Sequence, residues 1–373
     1  MKEVYNAIPF SQTLLELVKY GLGQSDKCII PSHIEWNEIM ALASSHGLDT
    51  IAFDGIQRCH SNHIPIYIDI DTKMEWIGNT HLQEVTYQGQ EEVISSLARY
   101  YQNHGIRMMV LKGWGLSQNY PNPSHRPCSD LDIYLFGEQK RGDRLMEGEF
   151  GIKVDKNHHH HTLFEYKGVT IENHYDFFNI HSHRSTKKIE NRLKWMAQDA
   201  VLAKTKDGAD VWLPSPDFNA IFVLRHMATE FAARGMILRQ VLDWGLFMKK
   251  YHQKVDWDRI LPVIRKINMH KYLDAINYIC YTYLGFERDI FVGFGDESYG
   301  ERIFADMFSS NNNKLKRNGI VMNLYNRFMR WWYNRWKHQI VYSDSLLSTF
   351  FFQVHAHLMK PATLMNNKII KRK

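Results

Sequence analysis

Residues Leu111–Leu135 read LKGWGLSQNYPNPSHRPCSDLDIYL, and the far end of this stretch decides the fold. From Asp130 to Phe136 (DLDIYLF) polar and apolar residues alternate. A strand turns successive side chains to opposite faces, so Leu131, Ile133 and Leu135 share one face and Asp130, Asp132 and Tyr134 the other. The apolar face anchors the strand in a core while the other face displays two carboxylates. At the near end, the apolar run Ile106–Leu111 (IRMMVL) directly follows Gly105 and reads as a short buried strand. It runs into Lys112-Gly113-Trp114-Gly115, a turn whose glycines let backbone N–H groups approach an anion. A helix starting there would add its positive end.

Outward from this stretch, His159–Tyr166 and Val169–His174 flank Lys167-Gly168 and predict a hairpin. Upstream, residues 1–98 read as helical. Trp36, Ile39, Met40 and Leu42 mark an amphipathic helix ended by Gly47, and Leu82–His104 a long one capped by Gly105. Downstream, Pro214 and Pro216 mark a break, Asp217 is placed to cap a helix, and the pattern is helical to at least Lys250. Further helices are expected around 256–285, 300–309 and 320–340. The pattern therefore predicts an α+β protein: a small mixed sheet between residues 99 and 185, flanked by helical regions. It divides into an N-terminal helical region (1–98), a core (99–213) and a C-terminal helical domain with a basic tail (214–373).

Composition bounds the rest. A chain of 373 residues with 44% apolar and 23% charged residues has ample material for a buried core and is neither fibrous nor disordered. Its four cysteines, Cys28, Cys59, Cys128 and Cys280, form no C-x-x-C pair, which argues against a disulfide framework or a structural zinc site and suits a reducing compartment. The net charge of +6 hides an asymmetry: residues 314–373 hold 12 Lys or Arg and one acid, Asp344, so they carry +11 and the first 313 carry −5. The N-terminus is too polar for an export signal, and Leu346–Met365 contains Gln353, His355, His357 and Lys360, too polar for a membrane span. The expected location is the cytoplasm.

The acids carry the chemistry. Asp130 and Asp132 sit close on one face, and Glu172 on the hairpin shares its own face with Thr170 and His174. Like charges so close call for compensation, and three converging carboxylates are suited to one or two Mg²⁺ ions. The plainer reading of D-x-D is a solvated strand face. Against it stand the Lys112-Gly113 turn and Arg126, a bidentate partner for phosphates. His158–His161 (HHHH) invites a metal reading, but on a strand only alternate histidines share a face; His159 or His161 would instead face Glu172. Arg239 and Asp243, four apart on a helix, read as an intrahelical ion pair. Cys128 is a lone thiol near these residues with no activating base identifiable from sequence, and it is not proposed as a nucleophile. Arg327–Lys337 (RFMRWWYNRWK) interleaves cations with aromatics, fit for core packing first, and for RNA or an anionic membrane surface second.

These residues also carry a resemblance. Gly113, Tyr120-Pro121, Arg126 and Ser129-Asp130-Leu131-Asp132-Ile133 resemble the DNA polymerase β-type nucleotidyltransferase superfamily. More narrowly, the pattern K-G…Y-P…R-x-x-S-D-h-D-h is similar to the uncharacterised bacterial nucleotidyltransferase family of type 5. The similarity takes in Trp36 and Ala43–Gly47, the hairpin ending at Glu172 and His174, and the helical segment with His226, Arg239 and Asp243. It implies a short mixed sheet and transfer of a nucleoside monophosphate from an NTP to an acceptor hydroxyl, with Mg²⁺ or Mn²⁺. On that reading Asp130, Asp132 and Glu172 bind metal, and Glu172 is alternatively the base. Lys112, Gly113, Arg126 and Ser129 face the nucleotide, and His174, His226, Arg239 and Asp243 line an acceptor pocket. The acceptor would be a small molecule, a protein or an RNA, and the basic segment 314–373 favours a polyanion or a charged surface. The rival expectations are a non-catalytic nucleotide-binding module and an RNA-modifying toxin of the same fold.

Overall fold

The architecture is that of a computed structural model, and it describes residues 2–233, 235–309 and 332–349 with the single positions 329 and 352. Four helices come first: α1 (Lys2–Gly21), α2 (Trp36–His46), α3 (Asp49–Ser61) and α4 (Ile70–Asn103). Then follow β1 (Met109–Val110), the short α5 (Trp114–Ser117), β2 (Asp130–Tyr134), α6 (Gln139–Phe150), β3 (His161–Tyr166) and β4 (Val169–His174). After α7 (Arg184–Met196) come β5 (Val201–Lys204), β6 (Asp210–Leu213), α8 (Pro216–Ala233) and α9 (Leu238–Tyr251). The described elements close with α10 (Trp257–Lys266), α11 (His270–Tyr283), α12 (Gly300–Phe308) and α13 (Arg335–Val341). The protein is α+β.

The chain forms two compact units, each discontinuous in sequence. Among the described residues, one comprises those up to Gln88, Leu116–Pro127 and those between Leu224 and Val341, and the other Gly89–Gly115, Cys128–Val223 and those from Tyr342 onward. The second unit holds a six-stranded mixed sheet in the order β3-β4-β2-β1-β6-β5. The pairs β3–β4, β1–β2 and β5–β6 are antiparallel, while β2–β4 and β1–β6 are parallel. The hairpin falls where the alternation placed it, and its two turn residues, Lys167 (φ 51°) and Gly168 (φ 78°), both have the positive φ of a tight turn that matches strand twist. The sheet continues past residue 185, however. The β5–β6 hairpin was not expected, because Val201, Leu202 and Lys204 are exposed and the segment lacks a buried alternating face.

Helix α6 explains which face of the sheet is free. Its Asp143 Oδ1 accepts from Thr162 Oγ1 (3.0 Å) and Asn173 Nδ2 (2.8 Å), so α6 covers the face that carries Thr162 on β3 and Asn173 on β4. Ile133 pairs with Asn173 and Leu131 with Ile171, so the apolar side of β2 lies on this same covered face. The opposite face therefore presents Asp132, Glu172 and His174.

The first unit is helical. Helix α2 ends at Gly47 (φ 66°) as expected. Helix α8 begins at Pro216, within the stretch Cys128–Val223 of the second unit, and Ser215 rather than Asp217 caps it: Ser215 Oγ accepts the Phe218 N–H at 3.3 Å, the place of an N-cap oxygen. In the first unit Lys337 of α13 is buried and pairs with Asp306 at 2.6 Å. Arg302 lies 3.9 Å from the centre of the Trp336 ring, while Trp332 remains 47% exposed. Arg327, Arg330, Trp331 and most of the basic segment 314–373 lie outside the described residues.

Candidate functional site

Parallel pairing of β2 with β4 sets Asp130 opposite Thr170, Asp132 opposite Glu172 and Tyr134 opposite His174. Because side chains repeat every two residues, the acids of both strands fall on the face that α6 leaves free. Asp132 is only 2% exposed, so it is not part of a solvated strand face. A buried carboxylate needs partners. Asp132 Oδ1 has two: Lys112 Nζ at 2.8 Å and His174 Nε2 at 2.9 Å. His174 Nε2 also lies 3.4 Å from Glu172 Oε2, and its Nδ1 faces the Asp176 carbonyl at 3.1 Å. Asp130, at the half-exposed mouth of the strand, accepts from Ser129 Oγ at 3.1 Å.

The charges set one another. Burial opposes ionisation of Asp132, but Lys112 and His174 outweigh it and hold the carboxyl well below its usual range. Burial likewise opposes the charged form of Glu172, and the His174 hydrogen bond wins and lowers it. His174 is pushed up to about 9: burial favours the neutral ring, yet bonds to Asp132 and Glu172 prevail. Burial pushes Asp130 up, helped by the charge of Asp132. Lys112 is held charged by the three acids against its own burial. The result is an anionic cluster compensated by an ammonium and an imidazolium.

Gly113 places Lys112. Its φ is +58°, where a side chain is strained, and a Cβ there would meet Cys128 Sγ at 2.9 Å. The turn therefore folds tightly over the start of β2. Helix α5 beyond it has only four residues, too short for the helix that sequence placed behind the turn.

Arg126, His226, Arg239 and Asp243 belong to the other unit. There Asp243 accepts from Arg126 Nε (2.7 Å) and Nη2 (2.8 Å) and from the Tyr120 hydroxyl (2.7 Å). The expected intrahelical pair of Arg239 with Asp243 is replaced by this contact, and Arg239 Nη1 donates to the Pro127 carbonyl at 2.8 Å. A carboxylate presents two oxygens to a guanidinium fork, so the bidentate partner takes precedence over a helical neighbour. His226 is half-buried on α8.

Two features lay beyond the sequence. Glu190 on α7 accepts the Phe177 and Phe178 N–H groups at 2.9 and 3.0 Å, which ties down the segment following His174. Burial pushes this carboxyl up to about 7. No local signal marks a carboxylate that caps a loop 13 residues away. The histidine run also folds differently from a strand: β3 starts only at His161, and His160 turns so that its ring lies 5.5 Å from that of His174. His160 and His161 have depressed basicity, His161 falling to about 4, because loss of water around each ring penalises its charged form.

No helix among the described residues is long and apolar enough to cross a membrane. No curated protein matches the chain. A crystal structure of an antigenic nucleotidyltransferase-like protein from Paracoccidioides brasiliensis is similar at 15% identity and a TM-score of 0.31, over 47% of this chain and 87% of that one. The family model described as uncharacterised nucleotidyltransferase matches residues 32–285, a span that includes both the Asp130–Tyr134 strand and the Val169–His174 strand, and the chain belongs to that family.

Proposed function

We propose that the protein is a divalent-cation-dependent nucleotidyltransferase that moves a nucleoside monophosphate from an NTP to an acceptor hydroxyl. The observation that carries this reading is the register of Asp132 against Glu172, with Asp130 one repeat along and Lys112 2.8 Å from Asp132. Asp132 and Glu172 lie with His174 in a group whose candidate ligand atoms are all within 4.8 Å of one another, and Asp130 stands one repeat along the same face; carboxylate oxygens suit a hard cation such as Mg²⁺ or Mn²⁺. Asp130, Asp132 and Glu172 are the residues that would hold it. A bound ion of this class lowers the pKa of an acceptor hydroxyl and neutralises triphosphate oxygens.

The remaining roles fall to the chain itself. Glu172 is the alternative acceptor of the hydroxyl proton, since it is held ionised. Lys112 stays charged and offsets the negative charge that gathers on departing pyrophosphate. Gly113 and Ser129 shape the turn over the nucleotide. His174 fixes the orientation of Asp132 and Glu172, as a hydrogen-bonded neighbour of a metal ligand does. Arg126 is engaged by Asp243, which makes it a brace for the 120–127 segment before it is a phosphate ligand.

Calorimetry with a panel of NTPs, with and without Mg²⁺ or Mn²⁺, tests the reading. The parent is expected to bind an NTP only with metal, and Asp130→Asn/Asp132→Asn to lose that binding by at least about tenfold. Equal metal-dependent binding by both proteins would overturn it. A labelled NTP incubated with cell extract then reports the acceptor.

A further inference from the structure

His161 and His174 are directly opposed in the β3–β4 pairing, so both rings stand on the same face. His160, just before the strand, is held by its own carbonyl, which accepts the Tyr175 and Asp176 N–H groups at 3.1 and 3.0 Å. Its ring turns toward the other two. The three ring centres are 4.5 Å (160–161), 5.3 Å (161–174) and 5.5 Å (160–174) apart, with interplanar angles of 84°, 50° and 53°. The rings are not stacked. One nitrogen from each lies within 4.8 Å of the others. Imidazoles around a tetrahedral ion with Zn–N of about 2.0–2.1 Å hold their ring centres roughly 5 Å apart, the spacing seen here.

A second observation points to a ligand. His161 is 6% exposed, and neither of its ring nitrogens has a hydrogen-bond partner; buried His160 Nδ1 has none either. Buried polar atoms are nearly always satisfied, so this many orphaned nitrogens at one point call for a missing partner. Glu172 Oε2, 3.7 Å from His161 Nδ1 and 3.4 Å from His174 Nε2, is too far from His161 to serve as that partner but lies at the edge of the group.

We propose that His160, His161 and His174, with Glu172 as the adjacent oxygen donor, form a transition-metal site of the Zn²⁺ class. Three imidazoles and one carboxylate suit a borderline ion, whereas Asp130 and Asp132 suit a hard one. His174 gives up its contact with Asp132 when it takes the metal, so the two sites share one ring and one acid. The site does not depend on nucleotidyl transfer being the activity.

Co²⁺ alone, added to the full chain, is the probe. One equivalent is expected to give the intense visible absorption of a tetrahedral centre, and one equivalent of Zn²⁺ to abolish it. His160→Gln/His161→Gln is expected to weaken Zn²⁺ binding, measured against a competing chelator, at least about tenfold. Asp130→Asn keeps the Co²⁺ spectrum, which separates this site from the hard-cation set and keeps the test valid if no NTP binds. Should the double variant misfold, ¹⁵N imidazole shifts of the parent decide: Zn²⁺ moves the resonances of these three histidines. An octahedral Co²⁺ spectrum, unchanged Zn²⁺ affinity in the folded variant, or shifts confined to other histidines each overturn the proposal.

Discussion

Asp243 accepts two hydrogen bonds from Arg126 and one from the Tyr120 hydroxyl while almost entirely buried. Removing one partner of such a pair strands a charge in a poorly solvated place, whereas removing both is far milder. Arg126→Met is therefore expected to destabilise the protein by roughly 3–5 kcal/mol, and Arg126→Met/Asp243→Leu to recover most of that, as read by urea denaturation. Loss of NTP binding with stability intact would reassign Arg126 to the phosphates. Gly113 makes a comparable point about the backbone. Gly113→Ala is expected to cost about 1–3 kcal/mol from the positive φ and the approach to Cys128 Sγ. Adding Cys128→Ala should return only the contact part, because the backbone strain stays.

At the level of elements, α2 and α9 are joined through one histidine. His46 Nδ1 accepts the Leu238 N–H at 3.2 Å, and its ring packs 4.7 Å from that of Phe308. The first contact needs an unprotonated Nδ1, and burial lowers the ring's pKa from 6.5 to about 4. The folded value is below the unfolded one, so the fold prefers the uncharged form. Its contribution is present above about pH 6.5 and is lost as pH falls toward 4. The size is roughly 3 kcal/mol across that window. His46→Asn, which retains an acceptor, should be less acid-labile than the parent between pH 6.5 and 4. Parallel stability profiles for the two proteins would remove His46 as the cause.

Across the whole molecule the charge is divided, with −5 on the first 313 residues and +11 on the remainder. Among the basic residues of the aromatic run, Lys337 is paired with Asp306 and buried, so it belongs to the fold rather than to a binding surface. Arg327, Arg330 and Arg335 are the ones to test against a polyanion. If they contact one, tRNA affinity should fall with salt by a log–log slope of about −0.7 per single-strand phosphate neutralised, and the triple Gln variant should have a shallower slope. Binding that ignores both salt and the substitutions would exclude a polyanion partner for this segment.

The local pattern was sufficient for β2, the β3–β4 hairpin and the helix ended by Gly47. Period-two alternation, a Lys-Gly turn and a glycine after an amphipathic run are properties of neighbouring residues. The same pattern put Asp130 and Asp132 on one face, since pleating requires nothing further. It did not reveal β5 and β6, whose strand state comes from pairing at the far edge of the sheet rather than from a buried face of their own. Nor did it reveal which partner Asp243 would choose, because the guanidinium that reaches it is 117 residues away and wins through fork geometry. The histidine run shows the division most plainly. On a strand only alternate histidines of the run share a face, and the pairing of β3 with β4 sets one of them, His161, opposite His174. The third ring, His160, joins them only because the chain has not yet become a strand there, its carbonyl being held by Tyr175 and Asp176 from beyond the end of β4.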